Sequence, residues 1–174
     1  MSEATERQIE RGSTWLGRLL ALGGFSAGVK ADLSAPLAHS PAAVDKHDEV
    51  VWLSIEADDL SDAQVEMLVG DRGCVLDAIQ YMASLELNLH MQPDAQLPFV
   101  VDLDGYRDRR LEALRSLVDE AAAAVQGSGQ EFEIHALSSA ERRQVHTIFK
   151  DNFPELETFS RGKEPDRCLV VRPK

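Results

Sequence analysis

Apolar residues recur along this chain with two periods, and the switches between them mark the elements. Trp15, Leu16, Leu19, Leu20 and Leu22 fall at helical spacing, and Gly23-Gly24 ends the run. Ala27, Val29, Ala31 and Leu33 alternate as in a strand, and Val51, Leu53, Ile55 and Ala57 do so more firmly. Between them the Pro-, Ala- and His-containing stretch Ser34–His47 reads as a loop. Asp58–Leu68 predicts a short helix stopped by Gly70-Asp71-Arg72-Gly73. A longer helix follows to about Leu89, with Leu76, Ile79, Ala83 and Leu87 as its inward stripe.

Leu97, Phe99, Val101 and Leu103 alternate again, and Asp104-Gly105 turns the chain into a long amphipathic helix carrying Leu111, Leu114, Val118, Ala121 and Val125. Asp104 is expected to cap that helix, with Asp102 on the exposed side of its strand. After Gly127-Ser128-Gly129, Phe132 and Ile134 suggest a strand. Ser138-Ser139-Ala140-Glu141 fits a capping box that opens a helix to about Lys150. Glu157–Ser160 and Arg167–Arg172 read as strands joined by a turn-rich loop. The order is αββααβα, then βαββ. It divides the chain into a flexible acidic lead (1–12), a first domain (13–105), a linking helix (106–129) and a second domain (130–174).

The net charge of -12 argues against a nucleic-acid partner until its distribution is considered. Residues 1–129 hold 10 Lys and Arg against 22 Asp and Glu, whereas residues 130–174 hold eight of each. The last segment is the relatively basic end. Cys74 and Cys168 are too few for a disulfide framework and lack metal-ligand spacing, as do His39, His47, His90 and His135, so no metal or cofactor is expected. Met1–Arg11 is too acidic and polar for a signal peptide, and Trp15–Phe25 is too short to span a membrane; both predict a cytoplasmic setting. Neither a phosphate-cradling GxxxxGK[ST] loop nor a nucleophile elbow is present, and no poised acid–base pair stands out, which disfavours an enzyme. Trp15 and Trp52 are expected in the core, and Cys74 at a tight packing point.

Two constellations remain. Gly70-Asp71-Arg72-Gly73 lies between two helices, where paired glycines let a sugar-phosphate backbone approach and the following helix offers its positive end. Arg142, Arg143, His146 and Lys150 share one arc of a helix, and Arg161, Lys163, Arg167, Arg172 and Lys174 crowd into the 14 C-terminal residues. Arginine can hold phosphate bidentately and histidine can donate to phosphate or stack on a base, so these cations are expected to converge on one anion-receptive patch.

Leu68–Tyr81 (LVGDRGCVLDAIQY) closely resembles the KH signature of the bacterial Jag (SpoIIIJ-associated) proteins, and Val101–Arg110 (VDLDGYRDRR) resembles the end of the same domain. Glu141–His146 (ERRQVH) carries the Arg-x-x-x-His motif that names their second, R-3-H domain. In this order the three blocks extend the resemblance over residues from about 15 to 172. The resemblance implies an α+β protein, a bacterial-type KH domain (αββααβ) followed by a small βαββ R-3-H-type domain. It implies an RNA chaperone or post-transcriptional regulator that binds RNA or single-stranded DNA, with a second small KH protein as a partner. The further N-terminal domain that family members often carry is not expected within these 174 residues.

Asp71 departs from the family, whose loop is usually basic between its glycines. A carboxylate about 4 Å from a phosphate costs on the order of 1 kcal/mol in water. The alternative is therefore a protein-interaction adaptor whose KH-like half no longer contacts nucleic acid. If nucleic acid is bound, the small cationic excess predicts a shallow salt dependence, roughly two to four neutralised phosphates.

Overall fold

In a computed structural model, residues 3–35, 50–93 and 95–174 are described; His39, His47 and most of the expected loop Ser34–His47 lie outside them. Helices α1 (Glu3–Leu22), α2 (Asp62–Val69), α3 (Cys74–Asn88), α4 (Tyr106–Ser128) and α5 (Ser139–Asn152) alternate with strands β1 (Val29–Ser34), β2 (Val50–Ile55), β3 (Phe99–Leu103), β4 (Phe132–Ile134), β5 (Leu156–Arg161) and β6 (Cys168–Pro173). The architecture is α+β in the order expected. The chain divides into two compact units, with the boundary between Arg107 and Asp108.

The first unit packs α1, α2 and α3 with a three-stranded sheet of order β1-β2-β3, β1 antiparallel and β3 parallel to the central β2. Its core joins Leu16 and Leu20 of α1, Val51, Leu53 and Ile55 of β2, and the α3 stripe Leu76, Ile79, Ala83 and Leu87. That stripe is the one the 3.6-residue period selects.

Several local expectations are corrected. Residues 3–12 form the first turns of α1 and not a frayed lead, because they have partners: Gln8 donates to the Ala95 carbonyl at 2.9 Å and Ile9 packs on the core. Helix α2 starts at Asp62, not Asp58, since Ser61 caps it and exchanges bonds with Gln64 in a capping box. Asp102 is buried, 7% exposed, because its Oδ1 accepts the Arg107 amide at 3.0 Å in the first turn of α4, while Asp104 adopts φ +49°. Cys74 is exposed and Trp15 and Trp52 are only partly buried; the Trp52 indole donates to the Ala35 carbonyl.

The second unit has a sheet of order β4-β6-β5, antiparallel throughout. Val145, Ile148 and Phe149 of α5 share its core with Ile134, Leu156, Leu169 and Val171. Helix α4, read from the sequence as a connector, adds Leu111, Leu114, Val118, Ala121, Ala122 and Val125 to that core. The α5 capping box forms as the sequence predicts: Ser138 Oγ accepts the Glu141 amide and Glu141 Oε2 accepts the Ser138 amide.

Candidate nucleic-acid interface

Strand alternation sorts the β5–β6 hairpin into two faces. Leu156, Thr158 and Ser160 share one, paired with Val171 and Leu169; Glu157, Phe159 and Arg161 share the other, paired with Arg172, Val170 and Cys168. Leu156, Leu169 and Val171 lie in the core with α5, and the His146 Nδ1 meets the Thr158 hydroxyl, so the first face looks toward α5. Between α5 and this hairpin lies a concavity of about 350 Å³ lined by Ser139, Arg142, Arg143, His146, Thr158, Phe159, Ser160, Arg167 and Leu169. Two helical residues and one from the hairpin loop supply the imidazole and two exposed guanidinium groups of Arg143 and Arg167; neither arginine makes an ion pair among the described residues. A pocket of these groups with the Ser139 and Ser160 hydroxyls has the chemistry to hold a phosphate or the edge of an unpaired base.

The expected single patch does not form as drawn. Arg142 is buried, 5% exposed, because its guanidinium is spent inside the unit. Nη1 donates to the Leu137 carbonyl at 2.6 Å and more weakly to the Arg167 carbonyl at 3.4 Å, and Nη2 pairs with Glu164. This arginine ties α5 to the hairpin loop and shapes the wall of the concavity. Arg161 sits on the opposite face, paired with Glu131 at 2.7 Å and Glu133 at 2.8 Å, and those two hydrogen bonds raise its pKa further. Arg172 pairs with Glu157 and lies, like Arg161, over the Phe159 ring, 5.0 and 5.4 Å from its centroid. Lys174 donates to the Pro154 carbonyl. Lys150 and Lys163 are exposed but do not line the concavity.

In the first unit the Gly70–Gly73 loop joins α2 to α3 through a single 3-10 turn. Both glycines hold positive φ, +70° and +83°, and a Cβ on Gly73 would come within 2.8 Å of the Tyr106 ring. The glycines are thus required by the turn itself. Arg72 is left-handed too, at φ +52°, and its guanidinium grips the Asp71 carboxylate with Nη2 at 2.7 Å. A phosphate arriving here has to compete with that carboxylate for Arg72.

Sequence reasoning missed Ser139, Thr158, Phe159 and Ser160, which carry no charge pattern and join the site only when β5 pairs with β6 beside α5. It also missed that the capping residue Glu141 is buried and accepts from Arg110 Nε at 2.7 Å, which joins α5 to α4.

Arg142 and His146 of α5 form the Arg-x-x-x-His motif beside the β5–β6 hairpin, and residues 112–173 match the R-3-H domain family. The second unit is an R-3-H domain.

Over 105 to 119 of its residues the chain is similar to RNA-binding proteins of the Jag type. Its relatives include three proteins named RNA-binding protein KhpB. That of Lactiplantibacillus plantarum is 31% identical over 105 residues, 60% of this chain and 32% of the relative. That of Clostridium symbiosum is 29% identical over 119 residues, 68% and 50%, and that of Bacillus subtilis 29% over 109 residues, 62% and 51%. The match thus spans a third to a half of these relatives' length. Among the described residues no helix is long and apolar enough to cross a membrane.

Proposed function

We propose that this chain is a binding protein for single-stranded nucleic acid, RNA foremost, and not an enzyme. One observation carries the reading: Arg143, His146 and Arg167 meet in a concavity of an R-3-H domain with no carboxylate among the described residues that line it. The names of the relatives support RNA as the ligand. Arg143 and Arg167 hold phosphates, His146 contacts a phosphate or base, and Lys150 and Lys163 add charge from the flanks. Arg142 acts as the clamp behind the site. Arg161 contributes only when it leaves Glu131 and Glu133. The KH-like unit (13–105), with Gly70, Asp71, Arg72 and Gly73, follows the strand as a weaker second contact. RNA-chaperone or post-transcriptional work in the cytoplasm, with a second small KH protein as partner, completes the reading.

The Asp71–Arg72 pair favours a second reading for the first unit, in which it serves protein partners and leaves nucleic acid to the R-3-H domain. Fluorescence anisotropy with labelled single-stranded RNA tests both. Arg143→Ala with Arg167→Ala should weaken binding at least ten-fold, and wild type should show a log–log salt slope of roughly -1.4 to -2.8, two to four phosphates on a single strand. No affinity in wild type overturns the proposal. A loss on Arg143→Ala/Arg167→Ala with none on Arg72→Ala assigns the first unit to protein partners.

A further inference from the structure

Residues on the outer face of the R-3-H sheet form a third constellation that sequence spacing conceals. Glu133 and His135 are two apart on and just beyond β4, so their side chains leave the same face. The register Glu133↔Val170 and Ile134↔Leu169, carried one step further, sets His135 opposite Cys168. As a result a carboxylate oxygen, an imidazole nitrogen and the Cys168 sulfur all lie within 4.8 Å of one another. In the chain, His135 and Cys168 are 33 positions apart.

We propose that Glu133, His135 and Cys168 form a binding site for a zinc-type divalent cation. The donor set decides the class: a thiolate with an imidazole and one carboxylate suits Zn²⁺, whereas Mg²⁺ and Ca²⁺ take oxygen ligands. The groups need little rearrangement. His135 Nε2 already stands 3.1 Å from Glu133 Oε2, a contact that a bridging cation replaces. The Cys168 thiol is buried and, among the described residues, makes one long bond, 3.7 Å, to the Arg161 carbonyl. Binding releases the thiol proton, and any proton on the imidazole, to solvent. Three protein ligands on an open face leave the remaining position to water, which makes the site exchangeable and not a closed structural one.

Two guanidinium groups share this face. Arg161 holds Glu133 through its other oxygen and Glu131 besides, and Arg172 pairs with Glu157 and Glu131. A cation on Glu133 therefore competes with Arg161 and leaves it to Glu131 alone. The cation bridges β4 to β6 at the side chains, at the end of the sheet where β4 stops.

The test uses the full chain, reduced and stripped of metal. Zn²⁺ is titrated against a chromophoric chelator, and Co²⁺ is added separately to read the thiolate-to-cobalt charge-transfer band. One Zn²⁺ per chain is expected, with the cobalt band lost in Cys168→Ser and kept in Cys74→Ser. His135 is 63% exposed, so His135→Ala should leave the fold intact while weakening Zn²⁺ at least about ten-fold. Absence of Zn²⁺ uptake at tens of micromolar overturns the proposal, as does a band that follows Cys74 or an affinity unchanged by His135→Ala.

Discussion

Arg142→Ala separates the two roles open to the first residue of the Arg-x-x-x-His motif. If Arg142 grips phosphate, its loss weakens binding and leaves stability alone. The structure makes it a clamp: a buried guanidinium with bonds to the Leu137 and Arg167 carbonyls and an ion pair to Glu164. Truncation leaves a buried carbonyl without its donor, about 1–3 kcal/mol, and removes the packed stem. Glu164 is 61% exposed, so it returns to water and adds little, well short of the roughly 3–5 kcal/mol seen when a buried partner is stranded. A loss of about 2–3 kcal/mol follows, which in a unit of this size lowers its melting temperature by roughly 8–24 °C. Glu164→Gln should cost under about 1 kcal/mol. Circular dichroism melts of the full chain measure stability, and RNA anisotropy well below the melting transition measures binding. A variant that melts within about 2 °C of wild type yet loses as much affinity as Arg143→Ala refutes the clamp.

Gly73→Ala should destabilise the first unit by about 1–3 kcal/mol in denaturant melts, since alanine would hold a left-handed φ with its Cβ against Tyr106. Glu141→Ala should lower stability by about 2–3 kcal/mol, more than an ordinary cap, because the buried carboxylate serves both the Ser138 amide and Arg110; Arg110→Ala combined with it should be clearly non-additive in a double-mutant cycle. The Arg161 hydrogen bond, with its charge, holds the Glu131 carboxyl below its ordinary 4.5. A depressed carboxylate stabilises the fold above that ordinary value, and its contribution fades as pH falls through the lowered one. Melts of wild type and Glu131→Gln should therefore differ at pH 7, begin to approach below 4.5 and coincide only in acid past the lowered value; a gap that persists in that acid contradicts the pairing.

Periodicity is a local property, and what depends on it was readable from the chain. The Leu76–Leu87 stripe, the Val51–Ile55 alternation and the Ser138 capping box need only neighbours within a few residues, so element order and fold class follow from sequence. The motif blocks fixed the family resemblance in the same way. Which charges face solvent is decided by partners far along the chain. Arg142 and Arg143 are adjacent and chemically identical, yet one lies inside against Leu137 and Glu164 and the other lines the concavity. Helix phase puts Arg142 at the edge of the Val145–Ile148–Phe149 stripe and Arg143 on the far side. The packing of the 162–167 loop on α5 then decides that the Arg142 guanidinium is closed over and paired instead of reaching solvent. Asp102 differs, since its partner is the Arg107 amide five positions on, in a turn that strand alternation does not describe, whereas the Glu133–His135–Cys168 cluster depends on the β4–β6 register. Hydrophobic period is written in each segment, whereas the pairing of charges is settled when segments meet.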